Sequence, residues 1–197
     1  MEKELLLGTE GAGLLWAALS GRTDPYADSS TGDGSSTLTD DGILLNSGSN
    51  RPANQGSIGG SPLAPFGELT ILDMNLTMLS YDTDPMGAFF LTLGITETHS
   101  FVFSVSSSGV NIYYSDGGTQ IVNVSPLLAI DEKHNIKAYV RRSSLTCDVM
   151  VDGTNIVRNA RYGYVGIPVF GFWNMQYATS IVGNRECVVG HVRIMGK

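Results

Sequence analysis

The chain has 197 residues, of which 42% are hydrophobic and 16% are charged, and 24 of them are glycine. This length suits a single domain that buries about 70% of its unfolded surface, so it needs no disulfide or metal to fold. A formal net charge of −7 and a pI near 4.8 argue against nucleic-acid binding, which needs clustered lysine and arginine.

The N-terminal segment has apolar runs but not the makeup of a secretory leader. Glu2, Glu4 and Glu10 interrupt both the basic start and the apolar stretch that a signal peptide requires. No stretch of the chain approaches the roughly 20 apolar residues of a membrane-spanning helix. We therefore expect a protein that is made and used without secretion and has no membrane partner. Residues 1–7 are interpreted as a short strand or an extended arm.

The first third of the chain predicts one helical segment, one short strand and two long loops. The run at residues 13–20, GLLWAALS, favours one or two helical turns. Residues 22–41 and 47–65 are rich in turn-forming residues and are predicted to be polar loops, with a short strand at residues 42–46 between them. Loops of this length are usually functional or lie against a neighbour.

Beyond the second loop, apolar and polar residues alternate as they do in half-buried strands. In residues 72–78 every second residue is apolar, whereas Leu69 and Ile71 belong to the opposite phase, which predicts a bulge or a change of face near residue 71. Asp152-Gly153, between two apolar runs, predicts a hairpin turn. About ten strands with such turns predict an all-β, two-sheet antiparallel sandwich.

Alternation also assigns the faces of two later segments. Cys147 shares its phase with Val149 and Val151, so its thiol is expected in the core, free rather than bonded to Cys187. The final strand is predicted to divide its side chains between two faces, with Val188, Gly190, Val192 and Ile194 on one and His191 and Arg193 on the other.

Five segments resemble a known family: the opening strand FGELTILDMNL, the paired FVFSVSSSGVNIYYSDG, the strand HNIKAYVRR, the hairpin VMVDGTNIV and the closing GHVRIM. Their order resembles the concanavalin A-like lectin/glucanase superfamily, the jelly-roll group that includes laminin-G-like and pentraxin-like domains. The resemblance implies a β-sandwich over residues 38–197, preceded by an arm, a short helix and a polar loop over residues 1–37. Lectins, glycosidases and viral capsid or tail proteins share this layout, so the fold leaves the function open.

The residues expected of an enzyme of this kind are missing from the sequence. Glucanases of the superfamily carry a Glu-x-Asp-x-x-Glu run, because acid and nucleophile must flank one bond, and the nearest pair here, Glu68 and Asp73, has the wrong spacing. No Gly-x-Ser-x-Gly nucleophile motif occurs, and the three histidines stand singly. We therefore predict no enzymatic activity and no catalytic residue.

No cofactor is predicted either. Asp28, Asp33, Asp40 and Asp41 lie in the first Ser/Gly-rich loop, where a calcium ion is the alternative to a solvated turn. The run lacks the closing glutamate of an EF-hand loop, which favours the solvated turn.

The acidic composition, the N-terminal arm and the long loops favour a structural virion protein of a tailed bacteriophage: a capsid cement, decoration or tail component. Such a protein would reside in the virion, form a homo-oligomer and bind major capsid or tail subunits. Leu5, Leu6 and Leu7 are the predicted partner-binding residues, because an apolar arm can add an edge strand to a neighbouring sheet. Pairing of the arm within its own sandwich is the equal alternative.

The alternative function is a lectin-like, carbohydrate-binding domain used in host or glycan recognition. Sugar sites use an exposed aromatic platform with amides nearby, and Trp173, Asn174 and Tyr177 offer such a set. Trp173 also shares its phase with Ile167 and Val169, which instead indicates a core position.

Overall fold

The computed structural model describes residues 13–18, 27–28, 30–48, 55–60, 68–81, 88–94, 100–114, 119–124, 128–141, 143–144, 146–161, 173–178 and 185–196. These residues form fifteen strands and no helix, so no helix among them could cross a membrane. The strands are β1 (Gly13–Ala18), β2 (Ala27–Asp28), β3 (Ser35–Thr39), β4 (Gly42–Asn46), β5 (Gln55–Gly60), β6 (Leu69–Met78), β7 (Ala88–Gly94), β8 (Ser100–Ser106), β9 (Gly109–Tyr114), β10 (Thr119–Val124), β11 (Lys133–Arg141), β12 (Thr146–Val151), β13 (Thr154–Arg161), β14 (Trp173–Ala178) and β15 (Glu186–Gly196).

The strands form two antiparallel sheets, which we call sheet A and sheet B. Sheet A has eight strands, in the order β13-β12-β11-β6-β15-β4-β3 with β1 also paired to β15. Sheet B has seven strands, in the order β10-β9-β8-β7-β14-β5-β2. The prediction of an all-β, two-sheet antiparallel sandwich is confirmed.

The core lies between the sheets and is built from alternate residues of the central strands. On β6 the side chains of Leu72, Met74 and Leu76 are fully buried, as are those of Phe89 and Phe103 in sheet B. Because successive side chains of a strand point to opposite faces, one face of each sheet packs into this core and the other faces outward. The same cluster contains Ile43, Leu45, Met78, Val105, Val110, Leu128, Ile136, Ala138, Val140, Cys147, Val149, Val157, Tyr177, Cys187 and Val189.

Both cysteines are free and buried in this core. Burial, together with the negative charge of Asp148, raises the pKa of Cys147 to about 12. Burial raises the pKa of Cys187 as well. The prediction of a free core thiol at Cys147 is confirmed, and both groups behave as small apolar side chains.

The predicted helical segment at residues 13–20 is wrong, because Gly13–Ala18 forms β1. β4 pairs with β15 only from Glu186 to Val189, and β1 pairs with the later part of β15, from Val192 to Gly196. An open strand edge leaves backbone N–H and C=O groups unpaired, so pairing there overrides the local helical preference of a Leu/Ala-rich run.

Both predicted loops contain strands. β2 and β3 lie within residues 22–41 and β5 lies within residues 47–65. The predicted boundary between residues 37 and 38 falls inside β3, and β1, β2 and β3 all pair with strands of the sandwich. The glycines that suggested a loop have a packing role, because a Cβ atom on Gly56 would lie only 2.4 Å from the carbonyl oxygen of Asn46. Glycine therefore lets β5 approach β4 closely.

The predicted bulge or change of face near residue 71 is wrong for β6, and the irregularity of this region lies in β15, opposite residues 73–75. β6 pairs with β11 without interruption from Leu69 to Thr77. Its pairing with β15 shifts between Gly190 and Arg193, where β15 carries an additional residue. An additional residue of this kind is a β-bulge, and it reverses the side-chain phase of the strand that contains it.

The bulge also overturns the predicted faces of the final strand. Ahead of it, Cys187 and Val189 are buried in the core, while Val188 is only half-buried. Beyond it, Ile194 takes the register position opposite the core residue Leu72. Val188 and Ile194 therefore belong to opposite phases relative to the core, although simple alternation placed them on one face.

Candidate functional site

The outward face of sheet A carries a group of polar side chains, which we call the polar cluster. Along β6, β11 and β12, core residues alternate with residues that point away from the core, most of them polar, although Ile71 and Met150 share this outward phase. All but one of the cluster's members are buried or half-buried, although they lie on an outer face. The cluster consists of Asp73, Asn75, Asn135, Lys137, Tyr139, Arg141, Asp148 and the exposed Arg193.

Asn135 orders the centre of the polar cluster. The backbone register places it directly opposite Asn75 on β6. Three acceptors surround its side-chain Nδ2: Asp73 Oδ1 at 3.0 Å, Asn75 Oδ1 at 3.2 Å and the carbonyl oxygen of Met74 at 3.3 Å. The two N–H groups donate to these three acceptors, so one hydrogen is shared. The Oδ1 atom of Asn135 and the Nδ2 atom of Asn75 take no part in these bonds. The pair thus keeps one acceptor and one donor that these bonds do not use.

Each carboxylate of the polar cluster lies beside a cation. Lys137 Nζ is 3.8 Å from Asp73 Oδ2, and the two side chains are only 13% and 12% exposed. Arg141 Nη2 is 2.6 Å from Asp148 Oδ2, and the backbone N–H of Asn159 donates to Asp148 Oδ1 at 2.6 Å. The two short contacts of Asp148 are charge-assisted hydrogen bonds that orient its carboxylate, whereas Lys137 and Asp73 form a longer ion pair.

Tyr139 lies between the two ion pairs on β11. Burial raises the pKa of Tyr139, and the negative charge of Asp73 adds to that effect. The phenol therefore stays protonated at neutral pH and keeps both its donor and its acceptor capacity. Its half-buried ring adds an amphipathic surface beside the amides and carboxylates.

The polar cluster thus combines ordered carboxylate and amide groups, cations and an aromatic ring on a hydrogen-bonded sheet. Groups of these kinds can bind the hydroxyls of a polar ligand such as a sugar, because hydroxyls both donate to carboxylates and accept from amides and cations. Since the groups are held by one another and by the β6–β11 pairing, they need little further ordering when a ligand binds.

A hairpin at one end of the sandwich holds the start of β11 and with it Asn135. Asp152 and Gly153 form the predicted turn, with φ angles of 50° and 77°. The carboxylate of Asp152 accepts the backbone N–H of Asn135 at 2.8 Å and lies 2.7 Å from His134 Nδ1. His134 Nε2 accepts the N–H of Ala129 at 3.2 Å, so Nδ1 is the protonated nitrogen of the neutral ring.

Replacing Asp152 with asparagine is expected to lower the free energy of unfolding by about 1 kcal/mol near neutral pH, because asparagine keeps the turn but loses the charge. Burial acts to raise the pKa of Asp152, but the hydrogen bonds from His134 and Asn135 outweigh it and lower the pKa below its usual 3.8. The carboxylate therefore stabilises the fold above pH 3.8, and this contribution is lost as the pH falls through the lower folded-state pKa.

Urea unfolding of the wild type and of Asp152→Asn, near neutral pH and at a pH of about 2, measures this difference. The two proteins should converge at the acidic pH. Asp40→Asn, which changes an exposed carboxylate in the β3–β4 hairpin, is the matched control and should track the wild type throughout. A difference that persists in acid would contradict a role for the charge.

Of the three residues proposed for sugar binding, the structure describes the side chain of one, Tyr177. Tyr177 is fully buried in the core and its hydroxyl donates to the carbonyl oxygen of Ser80 at 2.5 Å, so its ring does not face solvent. Its prediction as a sugar platform is therefore corrected. Trp173 shares the alternation phase of Tyr177 on β14, and Asn174 has the opposite phase. Their side chains lie outside what the structure describes, so their role remains a prediction.

The predicted arm lies outside the described residues, whereas the loop considered for calcium lies mostly within them. Leu5, Leu6 and Leu7 precede the first described range, so partner binding by the arm remains a prediction. Within the described ranges, no group of three or more His, Cys, Asp or Glu side chains is placed to hold a metal ion. The absence of a cofactor, with calcium as the alternative, therefore stays a prediction for the chain as a whole.

Neither a protein-family model nor a curated protein sequence matches the chain. Solved structures do match. The carbohydrate-binding module CBM66 from Bacillus subtilis is similar with a TM-score of 0.52 and 14% identity, over 85% of this chain and 98% of that one. The Ca²⁺/Man3GlcNAc-bound exoplasmic/lumenal domain of VIP36 is similar with a TM-score of 0.63 and 9% identity, over 93% of this chain and 89% of that one.

A sialidase is similar over 87% of this chain, with a TM-score of 0.63 and 10% identity, but the chain spans only 17% of the sialidase. At such identities the likeness shows the fold alone. It defines the chain as a jelly-roll sandwich of the kind found in lectin-like domains, which confirms the predicted fold class.

Proposed function

We propose that the chain is a carbohydrate-binding domain without catalytic activity, and that the polar cluster is its sugar-binding surface. The observation that carries this proposal is the Asn135 side chain, which ties Asp73 and Asn75 into one ordered array on an outward face. The array lies on the face of sheet A that points away from the core cluster, so it does not contribute to that core. The likeness in fold to a carbohydrate-binding module and to a lectin domain supports the same function.

In this proposal a sugar lies across β6 and β11. The free Nδ2 of Asn75 and the free Oδ1 of Asn135 bind adjacent hydroxyl groups, one as donor and the other as acceptor. Tyr139 covers the apolar side of the ring. No bond of the sugar is broken, because the Asp73 carboxylate is engaged by Asn135 and Lys137 and is not placed as an acid or a nucleophile.

Binding to an array of neutral and acidic glycans, followed by calorimetric titration of each hit, tests the proposal. Asn135→Ala should weaken binding by about tenfold or more, because one substitution removes a ligand contact and releases Asp73 and Asn75. Asn155→Ala, which changes an exposed asparagine on β13, is the matched control and should bind like the wild type.

Lys137→Met, in which the new side chain is similar in length to lysine, is a second variant in case Asn135→Ala folds poorly. Thermal unfolding shows whether each variant is folded. The absence of binding by the wild type to every glycan, or unchanged affinity in both folded variants, would refute the proposal.

The virion hypothesis rests on the arm and the long loops. Both loops contain strands of the sandwich, and the arm lies outside the described residues. A virion component would sediment with large particles at a fixed stoichiometry, whereas a free carbohydrate-binding domain would remain at the top of the gradient. Sedimentation of the source lysate with detection by mass spectrometry distinguishes the two.

A further inference from the structure

We infer that the sugar bound by the polar cluster is anionic, bearing a carboxylate or a sulfate, and that Arg193 binds its anion. This inference rests on the proposed function and specifies its ligand. The polar cluster contains more cations than carboxylates. Its cations are Lys137, Arg141 and Arg193, and its carboxylates are Asp73 and Asp148. The surplus is one positive charge, on a chain whose formal net charge is −7.

Of the three cations in the polar cluster, Arg193 is the one that forms no ion pair with the cluster's carboxylates. Lys137 lies beside Asp73 and Arg141 beside Asp148. The backbone register places Arg193 directly opposite Asp73, but that carboxylate is already engaged on its other side by Asn135 and Lys137. Arg193 is exposed, and no ion-pair partner for it lies among the described residues. An anion of a ligand is thus the group that would complete this face.

The β-bulge in β15 determines which face of sheet A carries Arg193. Ahead of the bulge, Cys187 and Val189 point into the core. In a regular strand, alternation would place residue 193 in the same core-facing phase. The additional residue between Gly190 and Arg193 reverses that phase and brings the arginine to the outward face, in register with Asp73. Bulges beside binding sites re-aim side chains in this way.

The chemistry of arginine suits this ligand class. A guanidinium group presents parallel N–H donors that match the two oxygens of a carboxylate or a sulfate. Asn75 lies on β6, next to β15, and Asn135 lies on β11, one strand further along. Asn75 Nδ2 and Asn135 Oδ1, which are not used in the bond between the two side chains, can bind hydroxyls of the same ring. A sugar with one anionic substituent would therefore meet donors at both ends, whereas a neutral sugar would leave the arginine without its anion.

Two pairs of polymers isolate the charge of the ligand. Polygalacturonate is compared with its fully methyl-esterified form, and dextran sulfate with dextran, so each pair shares its sugar backbone. The wild type should bind the charged member of at least one pair about tenfold more tightly than the neutral member. The pair that shows the difference tells whether the anion is a carboxylate or a sulfate.

Arg193→Gln should lower affinity for the charged polymer about tenfold and so remove the preference for it, while Arg193→Lys should restore part of the preference. Arg158→Gln, an exposed arginine on the edge strand β13, controls for non-specific attraction to polyanions and should keep the full preference. Equal binding of charged and neutral polymers, or a preference that survives Arg193→Gln, would overturn this inference alone. Binding of no glycan of any kind would overturn the proposed function as well.

Discussion

Replacing Phe103 with alanine is expected to lower the free energy of unfolding by about 3–5 kcal/mol. The side chain is fully buried in the cluster between the sheets. β8 is hydrogen-bonded to β7 on one side and β9 on the other, with Phe103 opposite Leu91 and Ile112. Because both neighbours are held in register, the strands cannot move inward to fill the cavity left by the ring, so the full cost should be observed.

Urea denaturation followed by circular dichroism measures this loss of stability. Ile130→Ala is the control, because Ile130 is 49% exposed and its truncation should change stability by no more than about 0.5 kcal/mol. A loss below about 1 kcal/mol for Phe103→Ala would show that the two sheets do not close over this residue.

Replacing Gly42 with alanine is expected to cost roughly 2–5 kcal/mol, because strain and overpacking act together. Gly42 has a φ of 139°, which side-chain-bearing residues rarely adopt. An added Cβ would also lie 2.4 Å from the carbonyl oxygen of Val189 and 2.7 Å from the Cα of Gly190. Both obstacles are backbone atoms of β15, which is fixed by its pairing with β4 and β6, so neither can move aside cheaply.

Substitutions at two other glycines separate the conformational cost from the steric cost. Gly153 has a φ of 77° but open space around its Cβ position, so Gly153→Ala should show the conformational cost alone, about 1 kcal/mol. At Gly190 the added Cβ would lie 2.8 Å from the carbonyl oxygen of Asp41, so Gly190→Ala should show a steric cost. Unfolding of the three variants in urea should rank Gly42→Ala as the least stable. Equal losses at Gly42 and Gly153 would contradict the close approach to β15.

The polar cluster was partly visible in the sequence. Alternation along HNIKAYVRR places Asn135, Lys137 and Tyr139 on the face opposite the apolar residues, and the same pattern along β6 does so for Asp73 and Asn75. What the sequence did not show is that the two strands are neighbours. Strand order depends on long-range pairing, and local periodicity carries no information about it.

The residues proposed for sugar binding show a second limit of prediction from the sequence. Trp173, Asn174 and Tyr177 were grouped because aromatic and amide residues follow one another closely. In a strand, neighbours in sequence point to opposite faces, and Tyr177 belongs to the buried face of β14. A cluster in sequence is therefore not a cluster on a surface, whereas Asp73 and Lys137 meet although they are far apart in the chain.

By itself, the sequence determined the fold class, the phase of β6 and β11 and the Asp152-Gly153 turn, because alternation and turn geometry are properties of short segments. The tertiary structure alone decided that Gly13–Ala18 is a strand, that Gly56 lets two strands come close, and that a bulge carries Arg193 to the outer face. Each of these depends on which backbone edge or neighbour is available in space. The free energy of pairing that edge or filling that space outweighs the local preference of the residues involved.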